Sequence, residues 1–375
     1  YTVCGFDVKP EVVGQLNAGR IHIVEPGLQE AMTQAMATGR LHFSAEPEPA
    51  DVFIIAVQTP YRETADGKRV SDMRFVESAA REVGSVLREG NLCVLESTSP
   101  PYSTRQVERI VSEVSGLAPE KFMTAHCPER IIPGRMLIEL RENDRIIGAN
   151  RPASAEYAKS IYEKVVTKGA IRLTDDLTAE MCKLTENTFR DINIAYANEL
   201  SKVCDRLGID VFQLIELANC HPRVNVHTPG VGVGGHCIAV DPWFIHEKFE
   251  DITPLIYEAR LVNDGKPEWV ADRIARDVAQ GAKIAVLGMS FKANIDDTRE
   301  SPSVRFADIL KARGYQVIAC EPYIRGEVAG YENHSLEEAM ALCDYAVITL
   351  QHNAFKENRE LIASKPYYDC VGLMR

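Results

Sequence analysis

The chain has 375 residues, of which 45% are hydrophobic and 26% charged, and a formal net charge of −12. That length exceeds what one hydrophobic core usually serves, so two or three domains are expected, and no apolar run approaches the ~20 residues of a membrane-spanning helix. The acidic balance opposes a nucleic-acid backbone and leaves a soluble protein whose anionic ligands must meet locally arranged donors.

Residues 1–174 alternate short apolar runs with amphipathic stretches, the pattern of a parallel sheet with crossover helices. Strands are expected over residues 2–6, 52–57, 92–96, 122–126, 145–148 and 171–174. Helices are expected from Pro10 to Gly19, from Gly27 to Gly39 and from Met73 to Gly90. The first strand closes on Asp7, where a dinucleotide-binding unit sets an acid against the adenine ribose; a turn aspartate is the plain alternative. The strand-Gly-x-Gly-x-x-Gly-helix that should precede it is absent from this sequence, which begins at Tyr1. We therefore expect a segment upstream and, without one, a gap in the sheet. Thr98 and Glu129 each end a strand, and ligands of doubly wound sheets gather at such ends, although either residue could serve as a helix cap.

From about residue 176 to 208 there is no Gly or Pro, and Leu177, Met181, Leu184, Thr188, Ile192, Ala195, Leu200 and Val203 recur at helical spacing. One helix of roughly 45 Å follows, long enough to bridge two domains and apolar enough to pair subunits. Lys183, Asn187 and Arg190 lie at i, i+4 and i+7 on it, a strip of donors for an anionic oxygen or, more blandly, a solvated face.

A Gly- and Pro-rich loop over residues 221–242 ends in Pro-Gly-Val-Gly-Val-Gly-Gly-His-Cys-Ile-Ala-Val-Asp-Pro. Four glycines in six residues let a backbone approach a ligand, and Cys237 follows them directly, with His236 beside it and Asp241 four residues on. The competing reading is a flexible turn with an incidental cysteine. A metal site would need more Cys and His at ligand spacing. The other cysteines, among ten in all, are scattered, mostly in apolar runs and never as C-x-x-C, which fits reduced thiols in a cytoplasm.

Helical segments continue to residue 280, and strand–helix alternation returns with residues 283–287, 302–313, 316–319 and 345–350. After that domain's first strand, Lys292 and Arg299 suit a diphosphate, unless Asp296 and Asp297 hold them in salt bridges. The expected fold is α/β: two Rossmann-like doubly wound domains joined by a long central helix and a helical dimerisation domain. The expected boundaries are 1–175, 176–280 with the Cys237 loop, and 281–375.

Together these stretches resemble the UDP-glucose/GDP-mannose dehydrogenase family over essentially the whole chain. Within the family, the branch that oxidises UDP-N-acetyl-D-mannosamine is most similar, through residues 19–26, 179–191, 197–200, 221–225 and 232–244. The resemblance implies an NAD-dependent four-electron oxidation at C6 of a UDP-N-acetyl-hexosamine, two NAD per sugar, serving polysaccharide biosynthesis. A thioester on Cys237 keeps the aldehyde from escaping. Lys183 and Asn187 would stabilise oxyanions, Glu129 and Thr98 would position or deprotonate water, and Asp241 would poise the thiol. Asp7, Thr59, Thr98 and Arg299 would touch NAD. Arg130, Ile131, Lys183, Asn187, Arg190, His221, Arg223, Gly234, Phe291 and Lys292 would touch the UDP-sugar, with His221 and Arg223 reaching from a neighbouring subunit of a homodimer or dimer of dimers. Gln58 departs from the family's usual Pro, and Pro133 from the Glu common in the UDP-glucose branch, which favours an N-acetylated sugar. The glucosamine and galactosamine epimers, a binder without turnover, and a two-electron dehydrogenase are the competing readings.

Overall fold

The computed structural model of the chain describes residues 1–21, 23, 25–132 and 134–375. His22 and Val24 of the family-like stretch 19–26, and Pro133, lie outside them. The chain divides into two compact units, Tyr1–Leu184 and Thr185–Arg375.

The first unit opens with β1 (Val3–Phe6), α1 (Pro10–Asn17), α2 (Leu28–Ala37), β2 (Leu41–Ser44) and β3 (Val52–Ile55). A hairpin of β4 (Tyr61–Glu63) and β5 (Arg69–Ser71) precedes α3 (Arg74–Val86), β6 (Leu92–Leu95), α4 (Ser103–Ser115) and β7 (Met123–His126). Then come α5 (Met136–Glu142), β8 (Arg145–Gly148), α6 (Pro152–Tyr162) and β9 (Ile171–Thr174). Every strand expected from the sequence is present. Five of them form one sheet in the order β3-β6-β7-β8-β9, parallel except for a single antiparallel bridge between His126 and Gly148. The all-apolar β6 is central and wholly buried, as a strand covered on both faces must be.

The first strand departs from expectation. β1 pairs only with β2, a strand the sequence reading did not anticipate, and this pair is a separate sheet. Val3, Phe6 and, on β3, Ile54 are exposed.

The long helix α7 (Asp176–Leu207) matches its predicted span and carries the boundary between the units. In the second unit, α8 (Val211–Asn219), α9 (Asp241–His246), α10 (Pro254–Asp264) and α11 (Lys266–Asp277) precede β10 (Lys283–Leu287). α12 (Pro302–Ala312), β11 (Gln316–Cys320), β12 (Glu327–Val328), β13 (Tyr331–Glu332) and α13 (Leu336–Leu342) follow. The chain closes with β14 (Tyr345–Ile348), α14 (Asn353–Lys356), α15 (Arg359–Ile362) and β15 (Tyr367–Asp369). A fully parallel sheet in the order β11-β10-β14-β15 centres its core on Ile284, Ala285, Val286 and Leu287. Both units are thus Rossmann-like α/β. Among the described residues no helix is long and apolar enough to cross a membrane.

Candidate active site

In the first unit, the carboxyl ends of β3 and β6 bring two expected residues together. The Thr59 hydroxyl donates to the Thr98 carbonyl at 2.6 Å, and the Ser97 hydroxyl braces the turn by donating to the Val57 carbonyl at 2.7 Å. Asp7, half-buried, ends β1, and its carboxylate accepts from the Lys9 N–H at 2.8 Å. A carboxylate and two hydroxyls at strand ends suit a dinucleotide's ribose and nicotinamide halves.

After β7, Glu129 turns back on its own loop and accepts from the Ile131 N–H. Burial pushes its carboxyl up to about 7, against the lowering pull of Lys183 and Arg145. Arg145 was not anticipated: fully buried, it bonds Glu96 at 3.2 Å and the Pro128 carbonyl at 3.3 Å, setting a fixed cation under the Glu129 loop. Arg130 donates to the Asp144 carbonyl at 2.9 Å. The unit therefore holds a carboxyl that changes charge near neutrality beside an amine, Lys183, that is itself buried at 9% exposure.

In the second unit, the glycine-rich loop is braced from α7. The Asn193 and Asn198 side-chain oxygens accept from the His227 and Gly230 N–H groups at 2.8 and 3.0 Å. The glycines beyond also meet the chain's own residues closely. A Cβ on Gly234 would lie 2.3 Å from the Glu300 carbonyl, and one on Gly235, at φ +85°, would strike the Phe291 ring at 2.8 Å. They permit close approach to the chain's own residues 291–302, a packing constraint that sequence alone does not separate from a ligand's.

The loop ends at Cys237, whose carbonyl accepts from the N–H groups of Val240 and Asp241 and so starts α9. Its thiol is exposed, whereas Cys93, Cys127, Cys204, Cys320, Cys343 and Cys370 are buried; Cys220 is also exposed. Asp241, 3% exposed, accepts a 2.5 Å hydrogen bond from the Asn187 amide, so two expected residues meet. His236 packs edge-on against Phe291, and burial, then Arg299, hold its imidazole below the usual range.

Two expected arrangements take a particular form in the free chain. Arg190 is exposed while Lys183 and Asn187 are buried, because the buried stripe of α7 continues through Asp191 and Asn198 and leaves Arg190 at its margin. Arg299 is held by Asp297 through contacts of 2.6–3.1 Å, the salt-bridged alternative, while Lys292 is exposed. His221 and Arg223 sit together, exposed, beyond α8, with the Arg223 N–H 3.3 Å from the imidazole.

Sequence reasoning missed the network beneath the loop. Arg260 donates to Asp191 at 2.5 Å, Asn263 donates to Asp191 at 2.8 Å, and Asn198 donates to Asn263 at 2.8 Å. Extending the Lys183–Asn187 spacing by further turns would have found Asp191 and Asn198. The sequence reading expected no metal. Among the described residues, Cys4, His42 and Glu48 do place ligand atoms within 4.8 Å of one another, but His42 and Glu48 already satisfy each other at 2.9 Å.

Models of three domains match the chain in order: the NAD-binding domain of the UDP-glucose/GDP-mannose dehydrogenase family over residues 1–166, its central domain over 177–265 and its UDP-binding domain over 285–375. An NDP-N-acetyl-D-galactosaminuronic acid dehydrogenase of Ralstonia nicotianae is 44% identical over 99% of this chain and 90% of its own. A UDP-N-acetyl-D-mannosamine dehydrogenase of Yersinia pestis is 47% identical over 82% of this chain and 76% of its own. The structure of a UDP-D-ManNAc dehydrogenase from Pyrococcus horikoshii superposes with a TM-score of 0.92 at 37% identity, covering all of this chain and 91% of that one.

Proposed function

We propose, for a chain that belongs to the UDP-glucose/GDP-mannose dehydrogenase family and is an NAD-dependent nucleotide-sugar oxidoreductase, that its substrate is UDP-N-acetyl-D-mannosamine, oxidised at C6 to the uronate. The observation that carries the chemistry is the buried Asn187–Asp241 bond one turn from the exposed Cys237 thiol. It fixes an amide donor and a carboxylate next to the only glycine-loop cysteine.

NAD, when bound at the first unit, supplies the hydride acceptor twice. Everything else falls to this chain's side chains. Cys237 as thiolate adds to the C6 aldehyde, forming a C–S bond and an oxyanion that takes up a proton as the thiohemiacetal. Loss of the second hydride and of that proton leaves a thioester. Water attacks its carbonyl, the C–S bond breaks, and the thiol is regained with a carboxylate product. The Asn187 amide is the donor for the oxyanions, together with Lys183. Glu129, poised near neutrality, takes the proton from water, with Thr98 placing it. Asp241 fixes the Asn187 amide so that its remaining N–H is aimed rather than free.

Asp7, Thr59, Thr98 and Arg299 stand as the proposed NAD contacts. Arg130, Ile131, Arg190, His221, Arg223, Gly234, Phe291 and Lys292 stand as those to the UDP-sugar. The segments 1–175, 176–280 and 281–375 are the proposed domains. Phe189, Tyr196, Val203 and Leu207, all exposed along α7, favour a homodimer. Ten free cysteines favour a cytoplasmic setting.

A galactosamine epimer is the second reading, favoured by the similarity to the Ralstonia enzyme over nearly the whole chain. The test is NADH formed per sugar consumed, for the three UDP-N-acetylhexosamines, with wild type and Cys237→Ser. Two NADH from the mannosamine, lost in the variant, is the expected result. One NADH per sugar would remove the thioester, and turnover of another epimer alone would replace the substrate.

A further inference from the structure

Behind the root of the glycine loop, the second unit forms a half-open cavity of about 190 Å³. Its walls come from α7, the start of α8, Pro229 and Gly230, α11 and the end of β15. Lys266, the first residue of α11, is 2% exposed and lines it. Its amine donates to the Ser201 hydroxyl, lies 3.5 Å from the Asn198 carbonyl and sits 4.2 Å from the centre of the Trp269 ring. Among the described residues it has no carboxylate within ion-pair distance, an unusual state for a buried amine.

Three carboxylates line the same cavity, and each is engaged elsewhere. Asp205 is held by Arg273 at 2.5 Å and Arg276 at 3.2 Å. Asp210 accepts from the Phe212 N–H at 2.8 Å and pairs with Arg375 at 3.2 Å. Asp369 accepts from the Val371, Gly372 and Met374 N–H groups at 3.0, 2.8 and 2.8 Å. The cavity thus presents one amine head without a counter-ion among the described residues, a hydroxyl beside it, and an apolar wall of Val211, Phe212 and Val270.

We propose that this cavity binds a small aliphatic carboxylate, its anion paired with Lys266 and Ser201 and its tail against Val211, Phe212 and Val270. The occupant is held against the segment that carries the reactive loop, since the Gly230 N–H is bonded to Asn198, whose carbonyl faces Lys266. The proposal uses none of the residues assigned to the sugar or NAD and stands apart from the substrate's identity.

Charge linkage makes it testable. Burial, with Lys202 adding to it, lowers the Lys266 amine to about 7, while Cys370 and Asp205 act in the raising direction. A carboxylate that pairs with the ammonium form therefore binds about tenfold more weakly at pH 8 than at pH 6. Sodium butyrate, with 1-butanol as the uncharged control, is titrated into the full chain by calorimetry at both pH values. Saturable binding near ~1 mM at pH 6, in the range open to so small a ligand, is expected, about tenfold weaker at pH 8 and lost in Lys266→Met. Ile209→Trp, a bulky change at the half-exposed rim, blocks the cavity while keeping the amine and guards against misfolding of the first variant. Binding that is absent, equal at the two pH values, or retained in both variants would overturn the proposal.

Discussion

The two faces of α7 depart from the usual sense of an amphipathic helix. Its buried side carries, among Ala179, Leu184, Ala195, Ala197 and Cys204, many polar groups: Asp176, Glu180, Lys183, Asn187, Asp191, Asn198 and Ser201 recur every three to seven residues. Its other stripe, Phe189, Tyr196, Val203 and Leu207, is apolar and exposed. Within the first unit, Asp176 pairs with Arg105, and Glu180 caps α4 by accepting from the Tyr102 and Thr104 N–H groups at 2.7 Å. Within the second, Asn187 holds Asp241 and Asp191 holds Arg260. The difference teaches that much of the burial on this helix serves placement of polar groups, while its apolar stripe stays exposed in the single chain, as the proposed pairing with a second copy requires. Most core packing falls to the sheets, where β6 throughout, and β10 from Ile284 onward, are apolar on both faces.

The comparison breaks first where the buried stripe loses a charge. Among the described residues, Asp191→Ala leaves the Arg260 guanidinium, 1% exposed, with Asp264 as its remaining ion pair. Removing one partner of such a pair typically costs about 3–5 kcal/mol, because the other charge stays buried. Chemical denaturation should show a loss of that size, and a loss under ~1 kcal/mol would mean that the stripe is solvated. A charge on the opposite stripe tests the other half. Tyr196→Glu should leave the unfolding free energy of the monomer within about 0.5 kcal/mol, as for other exposed positions. It should weaken self-association by about 2 kcal/mol, or some thirtyfold, in sedimentation experiments. A monomeric wild type would show that the apolar stripe meets something other than a second copy.

Much of this was legible in the sequence. The uninterrupted run without Gly or Pro set the limits of α7 to within a residue, and apolar runs between turn signals located all six expected strands of the first unit. Cys237 stood out by its place after the glycine run and His236, and the structure leaves it exposed. The polar stripe was harder to read. Seen alone, Asp191 and Asn198 look like a solvated helix face, and their partners Arg260 and Asn263 lie 65–72 residues away. The roles of Gly234 and Gly235 were obscured for the same reason, since the backbone and ring they avoid belong to residues 291 and 300. The separation of β1 and β2 from the main sheet followed from absent pairing, which strand propensity does not report.

The smallest expected effect is on titration, and it sharpens what the buried stripe does. Lys183 stands where its charge favours the ionised form of Glu129, which burial otherwise pushes up to about 7. If ionised Glu129 is the base, kcat/KM rises with pH and levels off above that value. Lys183→Gln removes the favourable charge, so the Glu129 carboxyl moves further up and the rising limb shifts to higher pH by ~1 unit, about 1.4 kcal/mol. The maximal rate falls as well, since the same amine is proposed to stabilise oxyanions, but the midpoint of the normalised profile is independent of that loss. A limb that stays in place while the maximum drops would leave Lys183 as an oxyanion donor only, and would assign the proton transfer to a group other than Glu129.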